Sequence, residues 1–129
     1  MRNIATILAT ILFISISSNA FSQHKVTFNI NLKPQLEDSV FIPNRDAVYL
    51  VGSTYPLRMT RPLTMKDEAP VDSIYTVEVN FNRNQMNAVV EYNFILRINS
   101  NQLKEDRTRS LNIRGDEILD ALYFNAFAW

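Results

Sequence analysis

Residues 89–113 read VVEYNFILRINSNQLKEDRTRSLNI, and the stretch before the first asparagine–serine pair decides the fold. Val90, Tyr92, Phe94, Leu96 and Ile98 fall on one face of an extended chain. Val89, Glu91, Asn93, Ile95 and Arg97 fall on the other. A period of two with one wholly apolar row is the pattern of a strand that turns one face into a core. The stretch is rich in β-branched and aromatic residues, which pack well on a pleated surface. It reads as a central strand, a charged loop and a second strand carrying Leu111 and Ile113.

The same period recurs on both sides. In KVTFNINL (25–32), Val26, Phe28, Ile30 and Leu32 alternate with Thr27, Asn29 and Asn31. AVYLVGS (47–53) is a short apolar run that stops at Gly52. In DSIYTVEVNF (72–81), Tyr75, Val77, Val79 and Phe81 form the inner row against Ile74, Thr76, Glu78 and Asn80. ALYFNAF (121–127) puts Leu122, Phe124 and Ala126 in one row. GDEILDAL (115–122) is compatible with a helical turn or two, and no long amphipathic helix is in sight. Pro34, Pro43, Pro56, Pro62 and Pro70 all fall between these runs, as expected of a residue that removes a ladder donor. Asn82-Arg83-Asn84 marks a turn. The connection over residues 53–71 is long for a compact domain, and such loops tend to carry function. The expectation is an all-β chain: a single antiparallel β-sandwich of six or seven strands.

The N-terminal segment reads as an address. Arg2 is followed by a run over residues 4–16 that is apolar except for Thr6, Thr10 and Ser15. Ser17-Ser18-Asn19 and Ala20-Phe21-Ser22 come next, with small residues placed for cleavage after Ser22. Residues 1–22 are therefore expected to be a signal peptide and residues 23–129 the folded domain, secreted or periplasmic. The apolar run falls short of the ~20 residues that span a bilayer, so no membrane association is expected after cleavage. There is no cysteine, which excludes disulfides, thiol catalysis and thiolate metal sites. Thirteen basic and thirteen acidic residues balance and are scattered, so nucleic acid is not an expected partner.

Four motifs in order, VTFNINL, AVYLVGS, VEYNFIL and KEDRTRSLNI, make the chain resemble starch-binding modules of the family 20 type, including short secreted relatives in Bacteroidetes. The resemblance covers nearly all of residues 23–129. It implies a fold that is immunoglobulin-like or starch-binding-domain-like, and a non-catalytic module that binds starch or another glucan. The family grips sugar mainly with two tryptophans, and neither is matched here. Leu57 resembles the leucine of the family's first motif, but Arg58 stands for its glycine and Thr60 for its tryptophan. Leu103 stands where the second ring would be, Thr108 and Arg109 stand for an asparagine–arginine pair, and Asn93 replaces a lysine. A weakened glycan site is thus expected from Tyr55, Asn93, Glu105 and Arg109.

Each of these residues has a plainer reading. A pyranose stacks its apolar face on a flat ring, and Tyr55 is the ring at hand, or else an exposed loop tyrosine. Glu105, Asp106, Arg107 and Arg109 are hydroxyl partners or a solvated loop. His24 is the only histidine and reads as a mobile residue at the mature terminus. The neighbouring carboxylates Glu37-Asp38, Asp67-Glu68, Glu105-Asp106 and Asp116-Glu117 read as solvated, since glycoside hydrolysis needs two carboxyls facing across a cleft. No enzyme, metal or cofactor is expected. The alternative function is a protein-interaction or structural sandwich, with the apolar tail LYFNAFAW as a self-association surface. Trp129 at its end is a core anchor, an interface residue or a frayed tail.

Overall fold

The computed structural model describes residues 23–127, so the expected signal peptide and Trp129 lie outside the described residues. The chain is a β-sandwich. One sheet has β1 (His24–Asn31) at its centre, flanked by β4 (Ile74–Phe81) on one side and by β8 (Glu117–Ile118) and β9 (Leu122–Tyr123) on the other. The second sheet runs β3 (Leu63–Met65), β2 (Ala47–Gly52), β5 (Val89–Ile98), and then β6 (Asn101–Lys104) and β7 (Arg109–Asn112) side by side along β5. Among the described residues, nine strands thus occupy seven lanes, because one edge lane of each sheet is broken. All pairings are antiparallel except the two short ones that β8 and β9 make with β1.

The alternating rows set the core. Val26, Phe28, Ile30 and Leu32 from β1 and its exit are fully buried, facing Val48, Leu50, Val90, Phe94 and Leu96 of the other sheet. Phe28 meets Tyr92 edge-on at 5.0 Å, and Tyr92 meets Phe94 at 5.8 Å. Burying each such side chain stabilises the fold by about 1.5–3 kcal/mol, and edge-to-face ring pairs add roughly 0.5–1.5 kcal/mol. Val51 and Ile95 are also buried, but their parity places them on the outer face of the second sheet, away from that core.

Both open edges of the sandwich are joined. At one, Lys66 after β3 and Thr76 of β4 exchange backbone hydrogen bonds of 3.1 and 2.9 Å. At the other, β9 pairs with β1 while the residues after it are gripped by side chains from the lane of β6 and β7.

Several local expectations are corrected. Residues 115–122 form no helix: Asp116 accepts from Lys25 N–H, and Leu119 N–H donates to the Thr27 carbonyl, so this segment joins β1 instead. A single helical turn, α1 (Lys33–Glu37), forms where only a connection was expected, with Pro34 in its first turn. The 53–71 connection contains β3. Asn82-Arg83-Asn84 opens a 3-10 turn (Arg83–Gln85) whose entry is capped by Gln85 Oε1 accepting from Asn82 N–H. His24 is not mobile. It is buried opposite Phe81, and its Nε2 donates to the Arg83 carbonyl at 3.3 Å.

Candidate functional site

The glycan candidates divide sharply. The edge lane beside β5 is interrupted once: between the pairs Tyr92–Arg109 and Ile95–Lys104 β5 has two residues, while the edge lane has four, 105–108. The two extra residues bulge outward, and because the number is even, the lane keeps its facing on either side. The bulge delivers Glu105 and Arg109 into the edge of the sandwich, where both are buried. Arg109 Nη2 donates to Glu105 Oε2 at 2.7 Å and Arg109 Nε to Glu105 Oε1 at 2.9 Å. Glu105 Oε1 also accepts from Phe94 N–H, and its Oε2 from Asn125 N–H. Arg109 donates further to the carbonyls of Tyr123 and Ala126, and its guanidinium lies 4.8 Å from the centre of the Phe127 ring. Asn125, at a left-handed φ of 56°, exchanges hydrogen bonds of 2.9 Å with Asp106.

These groups therefore form a clamp on the C-terminal hook, not a solvated loop. Burying a bidentate pair is tolerable because both carboxylate oxygens accept a further backbone N–H and Arg109 Nη2 donates to two backbone carbonyls. The solvated-loop reading is corrected for Glu105 and Arg109. Glu105 and Arg109 face the protein, and of the apolar tail Phe124 packs on the core and Phe127 under Arg109, leaving Leu122 and Tyr123 half exposed. Carboxylates elsewhere also hold loops: Asp67 accepts from Asp72 and Ser73 N–H, and Asp116 from Lys25 N–H. Among the described residues no three His, Asp or Glu side chains converge as a metal set, and no helix is long and apolar enough to cross a membrane.

Tyr55 is placed differently. It is 59% exposed, on the loop that leaves β2, and its ring lies 5.7 Å from the Arg58 guanidinium. The loop beneath the ring is pinned on both sides. The Tyr55 carbonyl accepts from Gln85 Nε2 at 2.8 Å, and Leu57 is buried in the core with its N–H donated to the Thr54 carbonyl. No contact joins Tyr55 to Glu105 or Arg109 among the described residues.

Beside this loop, on the outer face of the second sheet, lies a groove of about 250 Å3. Ser53 and Met59 form one wall, Lys104 and Thr108 the other, and Glu91 and Asn93 the floor. Asn93 is nearly buried and its Nδ2 donates to the Arg107 carbonyl at 2.6 Å, which fixes the bulge from the outer side as the clamp fixes it from the inner. Of the four candidates, the structure thus brings Asn93 to the floor, leaves Tyr55 exposed on the loop between the lining residues Ser53 and Met59, and withdraws Glu105 and Arg109 into the fold. Sequence reading missed Ser53, Met59, Glu91 and Lys104. Glu91 was legible from its outward parity on β5; Lys104 is brought there by its pairing with Ile95 at the end of β6, and Ser53 and Met59 by the loop after β2. No family model matches the chain, and the search of curated proteins finds no match either.

Proposed function

We propose that residues 23–129 are a secreted or periplasmic, non-catalytic β-sandwich module that binds a polysaccharide, with starch or another glucan as the first ligand to test. Tyr55 is the platform, and the groove between residues 53–59 and residues 104–108 is the track for the chain. The observation that carries this reading is a mostly exposed ring on a hydrogen-bonded loop whose flanking residues Ser53 and Met59 line a groove on the sheet face. Rigid presentation matters because an aromatic contact that is ordered beforehand loses little entropy when sugar arrives. Ser53, Thr108 and Asn93 supply hydroxyl and amide groups suited to sugar hydroxyls. Glu105 and Arg109 act indirectly, by holding the bulge that carries Thr108. The address in residues 1–22 supports export.

Affinity electrophoresis through gels containing soluble starch, cyclodextrin or other glucans tests the reading. Retardation that soluble sugar relieves supports it; no retardation at high sugar concentration removes it.

A second reading, self-association of two copies, is favoured by the edge lane of β8 and β9. Ile118 is 78% exposed there, next to the half-exposed Leu122 and Tyr123, and exposed apolar side chains on a short edge lane favour contact between copies. Light scattering on the mature chain and on Ile118→Lys separates the cases. A monomer at all concentrations rejects it.

A further inference from the structure

We infer that the groove beside Tyr55 selects an acidic polysaccharide, one bearing uronate or sulfate groups, over a neutral glucan. The inference rests on the polysaccharide reading above and concerns which chain that site takes.

Residues 53–65 contain no aspartate or glutamate, while Arg58 and Arg61 are both exposed. Arg58 covers the Tyr55 ring from 5.7 Å. A sugar stacked on the free part of that ring therefore meets a guanidinium at its edge, and guanidinium forks match carboxylate and sulfate oxygens. Across the groove Lys104 forms the opposite wall. Neither Arg58, Arg61 nor Lys104 makes an ion pair among the described residues. By contrast, the buried Arg109 and the part-exposed Arg45 are both matched to carboxylates. A neutral chain gives these three cations no charged partner, whereas an acidic chain meets Lys104 in the groove and Arg58 beside the Tyr55 ring.

Glu91 on the floor opposes the inference locally, as the one carboxylate among the lining residues. Its neighbours in the ladder are Ser110 and, through Ser53 N–H to the Glu91 carbonyl, the start of the Tyr55 loop. The arrangement thus makes opposite demands on opposite variants. Removing a wall cation weakens acidic binding, and removing the floor carboxylate strengthens it.

The test compares retardation in gels holding polygalacturonate, dextran sulfate, neutral dextran or soluble starch, at low and at physiological salt. Expected is stronger retardation by one or both acidic polymers than by the neutral ones, weakening as salt rises. Arg58→Ala and Lys104→Ala should each lower acidic binding by about two- to fivefold, the range for exposed charges, and lower it by a larger factor than neutral binding. Glu91→Gln should raise it, and Lys33→Ala, on α1 beyond the other sheet, should change nothing. Whether polygalacturonate or dextran sulfate binds better tells uronate from sulfate. Neutral polymers binding as well as acidic ones, or Lys33→Ala matching Arg58→Ala, overturns the inference and leaves the polysaccharide reading standing. No retardation by any polymer overturns both.

Discussion

Gly52 backs directly onto Leu57. A Cβ at Gly52 would stand 2.6 Å from Leu57 Cδ1, 2.9 Å from Leu57 Cβ and 3.0 Å from the Glu91 carbonyl oxygen. The glycine that ends β2 is therefore required by close approach, and Leu57 in turn seats the loop on which Tyr55 stands. Gly52→Ala forces Leu57 out of its seat. A cost of about 1–3 kcal/mol is expected from overpacking, read as a lower urea midpoint, together with loss of polysaccharide retardation as the Tyr55 loop shifts.

Removing Arg109 strands a buried carboxylate. Arg109→Ala is expected to cost about 3–5 kcal/mol, a large share of the roughly 5–15 kcal/mol that holds an ordinary domain together. In hydrogen exchange the Asn125 amide, which donates to Glu105 Oε2, should lose protection ahead of the amides of β5. A neutral result in urea, or unchanged protection at Asn125, contradicts the clamp.

Asp46 responds to acid. Its side chain is enclosed, accepting from the Arg45 guanidinium and from the N–H groups of Ile42 and Asn99. Those bonds, the arginine's first, hold its carboxyl far below the usual carboxylate range. A depressed folded pKa contributes stability that is present above the unfolded value near 4 and is lost as pH falls below it. The stability gap between the wild type and Asp46→Asn should be full at neutral pH and shrink as acid is added below about pH 4. A gap independent of pH would contradict this.

Base acts on the buried phenols. Burial raises the Tyr92 hydroxyl above its ordinary 10, with Arg109 opposing and Glu105 and Glu117 adding to the rise; burial and then Asp67 raise Tyr75. A raised folded pKa gives stability that is full below the unfolded value and lost as pH climbs through the folded one. Ultraviolet-difference titration should show phenols ionising above pH 10 in the folded protein, and Tyr92→Phe should soften the alkaline loss of stability.

The inner rows were legible in the sequence because a strand has only two faces: once Val90, Tyr92, Phe94 and Leu96 share one, their burial follows. The sandwich followed from several such rows. The clamp was not legible, because residues 105–109 are charged but for Thr108, have no period and look like any solvated loop. The burial of Glu105 and Arg109 depends on Tyr123, Asn125 and Ala126, which only the folded chain brings near. The same holds for residues 115–122, whose helix-compatible pattern loses to hydrogen bonds with Lys25 and Thr27. Tyr55 was legible as a ring in a loop, while its fixing by Gln85 was not.

The most direct test is a titration of the isotope-labelled mature chain with the polysaccharide that retards it best, followed by amide chemical shifts. Expected are shifts confined to residues 53–59 and to Glu91, Asn93, Lys104 and Thr108, all abolished by Tyr55→Ala at an unchanged melting temperature. Shifts centred on β8 and β9, or binding that survives Tyr55→Ala, would contradict a site at Tyr55.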